Sequence, residues 1–184
     1  MIDGPLGDLQ RTGAGVLRGA FSSDECAAVL REVCRGLRPA PRLVGSVTQE
    51  ASMAIRPVDD TTGQATRRLC NGVVKELSSW PEPISGFVPN ELTVMAYRKA
   101  GVGISAHRDE SRFRRALASV TLRGAGVLTL VADDDVAVAS WPIERGDLVV
   151  MVGGNGLGLP RPRHLLITSQ APRVSITLRM LEDQ

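Results

Sequence analysis

The sequence predicts an α+β fold in which N-terminal helices pack on one face of a double-sheet jelly roll. Two segments of the first half repeat apolar residues near the 3.6-residue period of an amphipathic helix. After Pro89 the chain changes to short β-rich runs, several separated by Gly or Asp clusters, which is typical of a sandwich or barrel. The long alternation of strands and helices that a Rossmann fold requires is absent.

Both helices have recognisable boundaries in the sequence. Ser22 and Glu25 have the spacing of a capping box, so the first helix is expected to begin there and to stop at Gly36. The second helix is expected to cover residues 62–78. Pro81 follows it and cannot continue a helix, because proline lacks a backbone N–H donor.

Seven short runs are predicted to be strands: 92–97, 118–122, 127–131, 136–141, 148–152, 164–168 and 174–178. They lie within residues 89–181, the predicted jelly-roll core, whereas residues 1–88 form a helical and lid part. The length of 184 residues favours a single domain, 1–184, because one core serves about 100–200 residues.

Composition narrows the class of protein. Hydrophobic residues make up 43% and charged residues 23%, an ordinary globular balance that argues against disorder. No apolar run approaches the roughly 20 residues that cross a bilayer, and the N-terminus lacks the basic and apolar regions of a secretory signal. We therefore expect a cytoplasmic protein without a membrane partner. A net charge of +2 and 3% aromatic residues do not by themselves indicate a nucleic-acid partner.

The cysteines do not indicate a disulfide framework or a zinc cluster. Cys26, Cys34 and Cys70 are odd in number and form no CxxC pair. We expect reduced, buried thiols.

Two histidines, His107 and His164, are the only ones in the chain, 57 residues apart. Residues i and i+2 of a strand point to the same side, so His107 and Asp109 can both reach inward while Arg108 points away. In a double-sheet barrel His164 can face them from a distant strand. Two imidazoles and one carboxylate suit non-haem Fe(II) with open coordination positions. A triplet of this kind also occurs by chance, and a lone histidine is more often a core or surface residue.

The last predicted strand has one polar and one apolar face. Arg173, Ser175, Thr177 and Arg179 alternate with apolar residues. A solvated face is the ordinary explanation. A planar guanidinium also binds a carboxylate through two hydrogen bonds, as a dicarboxylate cosubstrate would need.

The C-terminal half, about 89–181, resembles the Fe(II)- and 2-oxoglutarate-dependent dioxygenases. Within that superfamily it is most similar to the AlkB-like branch. The residues and run that carry the resemblance are Tyr97, Gly101, Ile104, His107, Asp109, 146–150, His164, Arg173, Ser175 and Arg179. Two positions depart from the branch: Met95 and Ser175 stand where Asn is more usual. The N-terminal half resembles the family only loosely, so the substrate class does not carry over.

The resemblance implies a double-stranded β-helix fold with Fe(II) held by His107, Asp109 and His164. It implies that Arg173 pairs with the distal carboxylate of the 2-oxoglutarate cosubstrate. It also implies that Tyr97 and Ser175 form hydrogen bonds with that cosubstrate. Arg179 would lie nearer the metal and support Asp109 or the other carboxylate.

The activity implied is oxidation by dioxygen, most simply hydroxylation, of a substrate C–H bond as 2-oxoglutarate is converted to succinate. Few aromatics and low charge favour a small-molecule substrate, and arginines flanking both histidines would suit an anionic one. Three alternatives stay open: demethylation of alkylated nucleic acid, hydroxylation of a peptide, and a metal-binding β-barrel without turnover.

Overall fold

The computed structural model describes residues 4–40, 43–44, 47–154 and 158–181. Its helices are α1 (Pro5–Thr12), α2 (Ser23–Val33) and α3 (Gln64–Leu77), with a 3-10 turn at Ile84–Gly86. Its strands are β1 (Ala14–Leu17), β2 (Arg38–Pro39), β3 (Leu43–Val44), β4 (Val47–Thr48), β5 (Ser52–Pro57), β6 (Glu91–Tyr97), β7 (Gly103–His107), β8 (Phe113–Val131), β9 (Ala137–Ile143), β10 (Leu148–Val152) and β11 (Arg163–Leu181). Among the described helices, none has the length and apolar character needed to cross a bilayer.

β8 and β11, each 19 residues long, run through the two main sheets of the fold, and β3 pairs separately with β4. They pair antiparallel, but their register shifts between Thr168 and Ser175 of β11, where the ladder is interrupted. On one side of the interruption they belong to a large sheet with the strand order β1-β10-β8-β11-β6-β5-β2. On the other side β7 pairs with the start of β11, and β9 pairs with the end of β8. This gives a smaller sheet with the order β7-β11-β8-β9.

The two sheets pack face to face. Val149 and Met151 of the large sheet share one apolar cluster with Leu128, Leu130 and Ile143 of the small sheet. Burial of these side chains holds the sheets together, because removing apolar surface from water stabilises the fold by roughly 25 cal/mol per Å². The predicted α+β jelly roll is therefore confirmed.

The helices cover the outer face of the large sheet, as expected. Val29 of α2 and Val73 of α3 belong to the same buried cluster as Val120 of β8 and Ile176 of β11. Because side chains alternate across a strand, the residues on either side of Ile176 point to the inner face instead. The helices thus bury the outer face of the large sheet and leave its inner face available for a polar site.

The start of α2 is stabilised by the predicted capping box. The Ser22 hydroxyl accepts the Glu25 backbone N–H at 3.3 Å, and the Glu25 carboxylate accepts the Ser22 backbone N–H at 2.8 Å. These contacts satisfy two donors that the first turn of a helix otherwise leaves unpaired.

Ser22→Ala is expected to lower the free energy of unfolding by about 1 kcal/mol, because it removes the capping hydroxyl. Chemical denaturation monitored by circular dichroism measures this change. Ser23→Ala is the matched control and should change stability by less than about 0.5 kcal/mol. Equal effects of the two substitutions would mean that the capping box contributes nothing.

The three cysteines are free thiols. Cys26 and Cys70 are buried, as expected, and burial raises the pKa of the Cys70 thiol to about 11. Cys34 is exposed instead, because it caps the C-terminus of α2, beyond the last buried residue of that helix. The prediction of a buried thiol was wrong at this position.

Candidate active site

Strand pairing brings the two histidines together. His107, the last residue of β7, lies directly opposite His164, the second residue of β11, and their ring centroids are 4.4 Å apart. Asp109 follows two residues beyond His107, and its Oδ2 atom lies 3.6 Å from Nε2 of His164. One ligand atom from each of the three residues lies within 4.8 Å of the other two. The structure therefore assembles the triad that the sequence predicts.

The ring nitrogens of both histidines are oriented by backbone carbonyls. Nδ1 of His107 lies 2.8 Å from the carbonyl oxygen of Ser105, and Nδ1 of His164 lies 3.5 Å from that of Pro162. A carbonyl oxygen only accepts, so Nδ1 must carry the proton and donate it. This tautomer leaves the Nε2 lone pair of each imidazole free to bind a metal, the usual arrangement around metal-binding histidines.

The environment of His164 also favours the neutral ring that a metal requires. Burial lowers its pKa below the usual value, nearby His107 acts in the same direction, and the Asp109 carboxylate opposes them. The site thus offers one imidazole nitrogen from each of two histidines and one carboxylate oxygen. This donor set fits Fe(II), which takes two histidines and one carboxylate on one face and keeps other positions open.

Arg173 is a buried cation without an acidic partner among the described residues. Its side chain is on β11, only 2% of the residue is exposed, and it donates to the hydroxyls of Thr121 at 3.0 Å and Ser175 at 3.3 Å. Its Nε is buried and has no hydrogen-bond partner. Burial lowers the pKa of the guanidinium to about 10, so it is still charged at neutral pH. A buried charge without a counterion is costly, and an anionic ligand would satisfy it.

Tyr97 and Ser175 lie beside this arginine, as the sequence implies. Tyr97 is opposite Arg173 in the β6–β11 ladder, and the guanidinium carbon lies 5.9 Å from the centre of its ring. Tyr97 is 3% exposed, and burial raises the pKa of its phenol, which therefore remains a hydrogen-bond donor at neutral pH.

Two buried hydroxyl groups on β8 and β11 were not predicted from the sequence. Thr121 lies opposite Ser175 in the β8–β11 ladder, and Thr168 is buried with no partner for its Oγ1 among the described residues. Thr168 could have been found, because it lies four residues after His164 on the same face of a strand. Thr121 could not, because only the register of β8 against β11 brings it to Arg173.

Arg179 lies further along β11 and has partners of its own. It donates to the Thr93 hydroxyl at 2.8 Å, and its Nη1 lies 3.4 Å from a carboxylate oxygen of Glu91. Its guanidinium carbon is 4.4 Å from the centre of the Phe113 ring. In the described part of the chain it makes no contact with Asp109, so its role in binding a cosubstrate remains a prediction.

Comparison with known proteins relates this chain to others through its fold. No protein-family model matches the chain, and no curated protein matches it in sequence. A prolyl-4-hydroxylase of Pseudomonas putida is similar with a TM-score of 0.70 and 16% identity over 97% of both chains. SnoN, a non-haem, α-ketoglutarate-dependent epimerase of nogalamycin biosynthesis, has a TM-score of 0.68 and 17% identity over 96% of this chain and 81% of its own.

A structure named OsALKBH1 is also similar, with a TM-score of 0.61 and 12% identity over 92% of this chain and 99% of its own. At these identities the likeness concerns the fold. It supports the jelly-roll assignment and does not single out the AlkB-like branch, which stays a prediction.

Proposed function

We propose that this protein is an Fe(II)- and 2-oxoglutarate-dependent oxygenase that hydroxylates a C–H bond of a small molecule. The observation that carries the proposal is the combination of the His107, Asp109 and His164 triad with a buried Arg173 that has no acidic partner among the residues described. A metal-binding barrel without turnover would have no use for this second feature. The similar folds of a prolyl-4-hydroxylase and an α-ketoglutarate-dependent epimerase also support the proposal.

The triad would hold the iron through Nε2 of each histidine and the Asp109 carboxylate. When bound, Fe(II) supplies the activation of dioxygen that accompanies oxidative decarboxylation of 2-oxoglutarate to succinate. The chain contributes the fixed histidine tautomers, which the carbonyls of Ser105 and Pro162 maintain. It also contributes a neutral His164, so no proton has to leave that ring before the metal binds.

Arg173 would bind the distal carboxylate of 2-oxoglutarate. Its Nε is buried and unpartnered, and its other guanidinium nitrogens donate to the hydroxyls of Thr121 and Ser175. The Tyr97 phenol, held protonated by burial, would donate to the same carboxylate. Exclusion of water strengthens each of these charge-assisted hydrogen bonds, because the local dielectric is low. The cosubstrate would thus be oriented with its other end towards the metal.

A small-molecule substrate is favoured because the described residues offer few aromatic surfaces. Trp80 is 7% exposed and packs among the helices, and Trp141 packs against the cluster between the sheets. A flipped base is held by stacking between aromatic or apolar side chains, and these two indoles are already engaged. Demethylation of nucleic acid is the second candidate, favoured by the similarity to OsALKBH1.

Succinate formation tests the proposal and separates its candidates. The iron-loaded protein is supplied with 2-oxoglutarate and air, together with pools of small metabolites, methylated oligonucleotides or proline-rich peptides. We expect a pool of small metabolites to stimulate succinate release most. Stimulation by methylated oligonucleotides alone would favour the demethylase, and stimulation by peptides alone would favour a peptide hydroxylase.

Gly126→Ala is expected to weaken 2-oxoglutarate binding about tenfold or more, because the site of Arg173 has no room for an added methyl group. A Cβ at this position would lie 3.2 Å from Nε of Arg173 and 2.9 Å from the carbonyl oxygen of Ile167. Titration of the cosubstrate into the Fe(II)-loaded protein measures the affinity. Iron affinity serves as the internal control and should be nearly unchanged, since no triad residue is among those nearest contacts. Equal losses of affinity for iron and for the cosubstrate would instead indicate general misfolding.

A further inference from the structure

The arginines near the His107, Asp109 and His164 triad differ in whether an acidic residue forms an ion pair with them. Arg108 lies 2.6 Å from a carboxylate oxygen of Asp133, and Arg112 lies 2.8 Å from one of Glu110. Arg163 forms an ion pair with Asp135. The two arginines that immediately precede and follow the histidines are therefore already bound to the acidic β8–β9 hairpin. Their charges are matched by acidic neighbours, which the sequence alone did not show.

Arg161 is the exception. It has no ion pair with any acidic residue in the described ranges, although it contacts the segment that carries Asp109. Its Nη2 donates to the backbone carbonyl oxygen of Asp109 at 2.9 Å, which ties the guanidinium to the segment carrying a metal ligand. Its Nε is buried and unpartnered. Within the described part of the chain, the side chain is thus a partly buried cation with one hydrogen bond to a carbonyl and no counterion.

The backbone around Arg161 is held in place by close packing. Pro160 and Pro162 flank it, and proline fixes φ at its own position and restricts the residue before it. Gly13 packs against both prolines: a Cβ there would lie 1.9 Å from the Pro160 carbonyl oxygen and 2.9 Å from Cδ of Pro162. The guanidinium is therefore presented from a rigid segment, as a group that positions a ligand should be.

We propose that Arg161 binds the carboxylate of the substrate beside the metal, so that the oxidised molecule is a small carboxylic acid. This inference rests on the proposed oxygenase function. A guanidinium offers two parallel donors to a carboxylate, and the pairing is strong where water is excluded. The distal carboxylate of 2-oxoglutarate is already assigned to Arg173, in a separate group of residues. Arg161 would fix the substrate by its acid group and so select which C–H bond faces the metal.

The test uses acetate as the smallest carboxylate probe. Protein loaded with Mn(II) in place of iron and saturated with 2-oxoglutarate is titrated with carbon-13-labelled acetate, and the paramagnetic relaxation of the carboxylate carbon is measured. We expect saturable relaxation that Arg161→Gln reduces at least about tenfold, that Arg161→Lys partly retains, and that Arg112→Gln leaves unchanged. Acetamide, which has the same shape without the charge, should show no saturable effect.

Several results would overturn the inference. Saturable relaxation that persists in Arg161→Gln would place acetate elsewhere, and no relaxation in the unsubstituted protein would mean that no carboxylate site exists near the metal. Inorganic phosphate binding much more tightly than acetate would assign the site to a phosphate ester. A parallel loss of 2-oxoglutarate or Mn(II) affinity in Arg161→Gln would make Arg161 part of the cosubstrate or metal site. If instead 2-oxoglutarate fails to bind the unsubstituted, metal-loaded protein, the proposed function itself is wrong.

Discussion

Asp109→Ala is expected to reduce succinate formation by at least about a thousandfold, because it removes the single anionic ligand of the proposed iron site. Two imidazoles alone should bind Fe(II) at least about a hundredfold more weakly, since even the loss of an outer partner of a metal ligand costs about 10–100-fold. The fold should persist. The Asp109 side chain has only the contact with His164 at 3.6 Å among the described residues, so its removal takes little from the core.

Asp60→Ala is the matched control for this experiment. Asp60 is an exposed carboxylate in the segment before α3, distant in sequence from the triad, and its removal should leave iron binding and turnover unchanged. His107→Ala should reproduce the loss seen with Asp109→Ala. Full activity in either triad variant would mean that the assignment of His107, Asp109 and His164 is wrong.

Arg173→Met is expected to abolish 2-oxoglutarate binding while leaving the unliganded protein at least as stable. Replacing a buried charge by an apolar side chain of similar volume is often neutral or stabilising by about 1–4 kcal/mol. The lost charge-assisted pair with the cosubstrate should weaken its binding by at least about a hundredfold. Thermal unfolding with and without 2-oxoglutarate measures both effects, because a ligand at about 100 times its Kd adds about 2.7 kcal/mol of stability.

The two proteins should differ in whether 2-oxoglutarate raises the melting temperature. Unsubstituted protein should melt at a higher temperature when 2-oxoglutarate is added to the metal-loaded form, and Arg173→Met should not. Arg123→Met is the control: Arg123 is exposed on the same β8–β11 pair, and its loss should leave the ligand-induced shift intact. A ligand-induced shift that survives in Arg173→Met would show that the cosubstrate does not depend on this arginine.

Helices α2 and α3 were predictable because their signals are local. A capping box begins α2, and the 3.6-residue period of apolar residues reflects the face that each helix buries against the large sheet. Helix α1 was missed, because its eight residues include a proline and a glycine and no side chain caps its start. Its position depends instead on packing against β1, and no local sequence pattern predicts that packing.

The seven predicted runs overlap β6, β8, β9, β10 and β11, but they divide the two longest strands, and β1 and β7 were not among them. The runs 118–122 and 127–131 are parts of the single strand β8, and the runs 164–168 and 174–178 are parts of β11. Gly124 and Gly126 lie between the first two of these runs, and Pro172 lies between the last two. In the structure these are the positions where the long strands pass from one sheet to the other, and the ladder resumes beyond them.

The clustering of His107, Asp109 and His164 was predictable from the scarcity of histidine and from the period of two along a strand. The alternation of its strand placed Arg173 on a polar face, and only the resemblance to the dioxygenases gave it a role. The structure adds that its side chain is buried and that its charge has no counterion among the described residues. The sequence did not distinguish Arg161 from the other arginines near the histidines. The sequence offers many arginines near the histidines, and only three-dimensional pairing with Asp133, Asp135 and Glu110 distinguishes those already neutralised.

The proposed function requires that this chain bind iron and 2-oxoglutarate together at one site. The most direct measurement is the visible absorption of the anaerobic protein after addition of Fe(II), of 2-oxoglutarate, and of both. We predict a charge-transfer band that requires both additions and is absent in Asp109→Ala and Arg173→Met. A folded, iron-loaded protein that gives no such band with 2-oxoglutarate would contradict the account and leave a metal-binding jelly roll with another task.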